Sequence, residues 1–198
     1  MRTIFIITSA IKSNNGSVYS EDDRMIQTVA TINSIRKFCD SKIVVVENSD
    51  NVSGMELITA SVDSFIHRPL HHYNKSVLEV GLVLSGMEEI KRMGWEFDFV
   101  FKLSGRYELN EKFNIQSVDS TKYNLRKFND QHVSTVMYGI PSCFFDEFQS
   151  IFEQVHARPM HQDIEHTLYN VIPKDKVNWM NEIGVQGHIA PSGEFLMH

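Results

Sequence analysis

The chain has 198 residues, room for one domain with a substantial core but hardly for two. Its composition, 42% hydrophobic and 22% charged, is that of a globular protein, and thirteen Phe, six Tyr and two Trp supply the burial that excludes disorder. Nineteen basic residues against twenty-five acidic ones leave a formal charge of −6, the opposite of the basic footprint that a non-specific nucleic-acid binder needs.

The two cysteines, Cys39 and Cys143, form neither a disulfide framework nor a zinc motif, so a reducing compartment is expected. The apolar opening Thr3–Ile7 runs quickly into a polar Ser-Asn-Asn-Gly, without the long apolar region of a signal peptide. No apolar run approaches the roughly 20 residues that cross a bilayer. The expectation is a soluble, cytoplasmic protein.

Thr3–Ser9 is a continuous β-branched, apolar run and predicts a strand buried on both faces. Ser20-Glu-Asp-Asp23 predicts a capping box, followed by a helix to about Phe38 with Met25, Ile26, Val29, Ala30, Ile32 and Ile35 as its apolar stripe. Lys42–Val46 predicts a second buried strand and Ser64–His67 a short third. A helix then runs from about Ser76 to Met93, stopped by Gly94, and Phe97–Leu103 predicts a fourth strand. Strands alternating with helices imply an α/β fold, a mostly parallel twisted sheet with helices on both faces.

Beyond residue 107 the pattern is mixed. Strands are predicted at 121–127 and 133–139 around a polar turn, and Phe144, Phe145, Phe148, Ile151, Phe152 and Val155 form a helical apolar stripe after Pro141. Another helix is predicted to open near His161 and end before Pro173. The glycine-rich tail, 184–193, reads as turns.

In an open parallel sheet, ligands bind beyond the carboxyl ends of the strands. That rule selects Thr8-Ser9-Ala10, Glu47-Asn48, the stretch His67–Lys75, and Ser104-Gly105-Arg106-Tyr107. The dinucleotide fingerprint and the Walker phosphate loop are absent, as are HExxH and GxSxG.

The order Ile-Ile-Thr-Ser, then Val-Val-Val-Glu-Asn-Ser-Asp, then Asn-Lys-Ser opening a helix resembles the nucleotide-binding half of a GT-A-type nucleotide-sugar glycosyltransferase (a Rossmann-like fold). Phe-Asp-Phe-Val-Phe-Lys-Leu-Ser-Gly-Arg falls where that family has a strand followed by Asp-x-Asp, and His-Gln-Asp-Ile-Glu at 161–165 resembles its later acidic motif. The likeness runs in order along the whole chain through short motifs. It implies one glycosyltransferase-like domain over 1–198, with a nucleotide-binding half at 1–107 and an acceptor-side half at 108–198.

By that resemblance Thr8 and Ser9 line the nucleotide pocket, Glu47 and Asn48 meet base or ribose, and Lys75 adds a cation near a helix N-terminus. His188 falls where the family closes a residue over the diphosphate. Loop polarity at Glu47, a solvated Lys75 and a turn histidine at 188 are the plain alternatives. Both aspartates of Asp-x-Asp are missing, with Ser104 and Arg106 in their places, so a divalent metal is doubtful and no cofactor is implied beyond the nucleotide-sugar substrate. Arg106, with Lys102, is expected to neutralise the departing diphosphate through charge-assisted hydrogen bonds.

Asp163 is the expected general base of an inverting transfer to a glycan or other hydroxyl acceptor, with Glu165 as its substitute. The rival role for Asp163 is capping a helix. Of nine histidines, His161 and His166 are five apart, the wrong spacing for two ligands on one helical face, and no metal site is expected. Three readings stand: a glycosyltransferase, a non-catalytic nucleotide- or carbohydrate-binding module of the same fold, and a nucleotidyltransferase, which would need a carboxylate pair that the sequence does not offer.

Overall fold

A computed structural model describes residues 1–12, 18–72, 74–157, 163–189 and 192–197. In chain order its elements are β1 (Thr3–Ser9), α1 (Glu21–Phe38), β2 (Ser41–Glu47), α2 (Glu56–Ser61), β3 (Ser64–His67), α3 (Lys75–Met93), β4 (Phe99–Ser104) and β5 (Tyr107–Leu109). There follow β6 (Tyr123–Leu125), β7 (Lys127–Asn129), β8 (His132–Val133), β9 (Met137–Pro141), α4 (Phe145–His156), α5 (Ile164–Val171), β10 (Val177–Trp179), β11 (Val185–His188) and β12 (Phe195–Met197).

Seven strands form one sheet in the order β10-β6-β9-β4-β1-β2-β3. The β4-β1-β2-β3 half is wholly parallel, and β9 runs antiparallel to both β4 and β6. This is the expected α/β architecture, a mostly parallel mixed sheet flanked by helices. Successive strand side chains point to opposite faces. Ile4, Ile6, Val44, Val46 and Val100 therefore pack with Val80, Val83 and Met87 of α3 and with Phe148 and Phe152 of α4. On the other face Phe5, Ile7, Ile43, Val45, Phe99, Phe101 and Leu103 meet Ile32 and Ile35 of α1. Two buried faces explain why these strands read as near-continuous apolar runs.

Four expectations are corrected. The capping box at Ser20 and Asp23 forms, and Met25, Val29, Ile32 and Ile35 of the expected stripe pack on the core, but α1 also buries the polar Arg24, Thr28, Thr31 and Ser34, while Ile26 faces solvent. Ser34 Oγ accepts the Leu109 N–H at 2.9 Å and Thr28 Oγ1 donates to the Gly105 carbonyl at 3.2 Å, so the inward polar groups bind the backbone around β5. The tail is not only turns, because β11 and β12 join β5 in a second, antiparallel sheet. The stretch expected as two strands over 121–139 is divided into four short ones, with β7 and β8 paired as a hairpin across the polar turn. The helix expected to open near His161 begins at Ile164, and His161 itself lies outside the described residues.

Candidate functional site

The carboxyl ends of β1, β2 and β4 are laced together by backbone. The Gly105 N–H donates to the Thr8 carbonyl and the Asn48 N–H to the Ser9 carbonyl, each at 2.9 Å. A small recess opens there, lined by Thr8, Ser9, Ala10, Arg24, Thr28, Gly105 and Arg106, with a free volume of about 10 Å³. Thus Thr8, Ser9 and Arg106, expected at one ligand edge, do meet. Arg24 joins them from just behind the first turn of α1, only 8% exposed, its guanidinium donating to the Ala10 carbonyl. Burial, and then the neighbouring Arg106, push the Arg24 guanidinium below its ordinary pKa, with Glu47 pulling the other way. Arg106 lies against the Tyr107 ring at 5.9 Å, and its buried Nε has no hydrogen-bond partner among the described residues.

Lys102 and Ser104 are spent differently from expectation. Lys102 is wholly buried and its Nζ pairs with Glu79 of α3, donating also to Ser104 Oγ at 2.8 Å and to the Thr135 carbonyl at 2.6 Å. An ammonium has three N–H groups, so these partners satisfy it internally and leave nothing for a phosphate. Burial holds its pKa below the usual lysine value despite Glu79. Thr8 Oγ1 donates to the same Glu79 carboxylate at 3.3 Å.

Glu47, expected to meet base or ribose, is also fully buried. Its Oε1 accepts the Ile11 N–H at 3.0 Å and the Ser49 N–H at 2.9 Å, tying together the loops after β1 and β2. Asn48 Oδ1 accepts the Leu70 N–H at 2.6 Å. Both are therefore loop-builders. Lys75 is exposed on the first turn of α3, whose cap is Asn74 accepting the Ser76 N–H at 2.8 Å. His188 Nδ1 sits 3.1 Å from the Gly193 carbonyl, with its ring 6.0 Å from Tyr19 and 5.1 Å from Phe195.

Asp163 and Glu165 line a larger cavity of about 370 Å³, together with Tyr107, Phe128, His132 and Thr135 among others. Asp163 is the N-cap of α5: its Oδ1 accepts the His166 N–H at 2.8 Å, and its Oδ2 lies 3.5 Å from His132 Nε2. Glu165 accepts from Thr135 Oγ1 at 2.6 Å. Tyr107 contributes to this cavity and follows Arg106 directly, so the acid-bearing cavity and the cationic recess stand one residue apart along the chain.

Arg24, Glu79 and His132 are the site residues that the sequence reading passes over, while Tyr107 lies in the selected stretch 104–107 but was given no role there. Arg24 carried one signal, a cation directly behind the acidic first turn Glu21-Asp22-Asp23, where the helix dipole disfavours it. Ser104 ends β4 and Arg106 lies just beyond it, where the Asp-x-Asp pattern would put carboxylates; two arginines line the recess, and no three His, Cys, Asp or Glu side chains converge among the described residues. Among these residues no helix is long and apolar enough to cross a membrane.

No protein-family model matches the chain, and no curated protein does. Solved structures do. The CTP:phosphocholine cytidylyltransferase of Streptococcus pneumoniae superposes with a TM-score of 0.62 at 8% identity, covering 94% of this chain and 93% of the other. A nucleoside-diphosphate-sugar pyrophosphorylase of Vibrio cholerae gives 0.57 at 14% identity, covering 92% and 93%. A glycosyltransferase involved in glycosylating the major capsid of PBCV-1 gives 0.50 at 10% identity, covering 88% and 81%. The likeness is one of fold. The chain has the α/β architecture that GT-A-like glycosyltransferases and nucleotidyltransferases share.

Proposed function

We propose that the protein transfers a sugar from a nucleotide-sugar donor to a hydroxyl of a glycan or similar acceptor, with inversion and without a metal ion. The observation that supports this is the adjacency of a cationic recess at the sheet's carboxyl edge and a carboxylate-bearing cavity, joined through Arg106 and Tyr107. The donor's diphosphate lies at the recess and the acceptor in the cavity. An acceptor oxygen bonds to the anomeric carbon as the bond from that carbon to the diphosphate oxygen breaks. The electron pair leaves with the nucleoside diphosphate, whose charge Arg106 offsets, and the hydroxyl proton passes to Asp163 or Glu165.

The test is turnover of a panel of nucleotide-sugars by the wild type, Asp163→Asn and Glu165→Gln. The carboxamide at the true base should lower kcat by about 100-fold or more with donor affinity kept. Two fully active variants would remove both carboxylates from the chemistry. A binding module is the second reading, favoured by the helix-capping work of Asp163 Oδ1. It expects nucleoside diphosphate to bind without any turnover.

A further inference from the structure

Resting on that reading of the recess, we propose that Arg24 and Arg106 form a two-guanidinium clamp for the donor's diphosphate, with Arg24 as its buried inner jaw. The two side chains arrive from different elements, α1 and the turn between β4 and β5, and meet in one recess. Like charges brought together in a partly dehydrated place repel, and the arrangement is favourable once an anion lies between them. Among the described residues neither arginine forms an ion pair with a carboxylate. Glu47 acts on Arg24 without a hydrogen bond: its Oε1 is committed to Ile11 and Ser49, and its buried Oε2 has no hydrogen-bond partner among the described residues.

Size and charge select the ligand. A recess of about 10 Å³ holds roughly one oxygen atom, too little for a whole phosphate group. An anion therefore sits at the mouth with a single oxygen inserted. A diphosphate diester carries one negative charge on each phosphoryl group, which matches two guanidiniums, and each planar fork suits a pair of phosphate oxygens. The Gly105 N–H is committed to the Thr8 carbonyl, so the side chains rather than that loop amide must do the gripping.

The experiment is calorimetric titration of the full chain with inorganic pyrophosphate and, separately, orthophosphate, in buffer containing a chelator. The wild type should bind pyrophosphate more tightly than orthophosphate, and Arg24→Gln and Arg106→Ala should each weaken pyrophosphate by at least about tenfold. Arg24→Lys keeps the charge and a donor for Ala10, and serves where Arg24→Gln lowers the melting temperature. It should fold and still bind several-fold more weakly than wild type, because the fork is lost. Wild-type affinity in both Arg24 variants with loss in Arg106→Ala would overturn the clamp and leave the proposed function standing on Arg106. Pyrophosphate binding that appears only when manganese replaces the chelator would overturn the clamp as well. Normal metal-free binding combined with failure of every donor to turn over would instead count against the transfer reaction alone.

Discussion

Lys102 shows how a residue's chemistry is decided by what surrounds it. On paper it is a cation at the ligand edge. In the fold it is a buried ammonium held by Glu79, Ser104 and the Thr135 carbonyl, beneath the site instead of in it. Removing Lys102 leaves the Glu79 carboxylate, 24% exposed, without its cation. Lys102→Met is therefore expected to cost about 1–3 kcal/mol, read by urea unfolding, while Lys102→Met combined with Glu79→Leu should recover most of that loss. A single variant as stable as wild type would mean that Glu79 finds water or another partner. The pair also links the two cavities: Thr8 donates to Glu79 on one side, and Thr135, whose carbonyl holds Lys102, donates to Glu165 on the other.

At the scale of elements, the chain spends its polar groups on joining helices to strands. Asp63, in the link between α2 and β3, takes hydrogen bonds from Arg36 at the end of α1, from Lys42 in β2 and from the Ile43 N–H. Burial works to raise the Asp63 carboxyl, but Lys42, the Ile43 N–H and Arg36 together hold it below the usual carboxylate range. A depressed folded pKa means that this stabilisation is present above the unfolded value of about 4 and is lost as pH falls below it, where the unfolded chain takes up the proton first. Asp63→Asn should therefore be less stable than wild type at neutral pH, with the difference shrinking as pH falls below about 4. Denaturant midpoints measured across that range check the prediction, and a pH-independent difference would contradict it.

Over the whole molecule, the small sheet β12-β11-β5 is packed against the turn that carries Arg106. Gly187 of β11 pairs with Tyr107 of β5. A methyl group on Gly187 would stand 2.7 Å from a Tyr107 ring carbon, and closer still to the Arg106 carbonyl oxygen. Neither β5 backbone nor a ring buried to 4% exposure can yield cheaply. Gly187→Ala is expected to cost about 1–3 kcal/mol by overpacking and to disturb the recess at a distance from its own position. Thermal unfolding together with pyrophosphate titration measures both effects, and an unchanged variant would mean that the tail sheet is not coupled to the site.

What the residues dictated unaided was the parallel half of the sheet. Strands buried on both faces read as near-continuous apolar runs, as Thr3–Ser9 and Lys42–Val46 do, and as Phe97–Leu103 does apart from Asp98 and Lys102. The capping box at Ser20 and the glycine stop at 94, which takes a left-handed φ of 63°, were equally local and equally legible. The assembly of Thr8, Ser9 and Arg106 followed from the strand-end rule, because adjacent parallel strands bring their carboxyl ends together whatever their side chains. Tertiary structure decided the rest, and for one reason. A buried charge is defined by partners far away in the chain: Lys102 by Glu79, Arg24 by Arg106, Glu47 by the Ile11 amide. No window of sequence contains those pairs, and the polar groups that α1 also buries run against the rule that apolar residues mark the buried side because their task is to bind backbone.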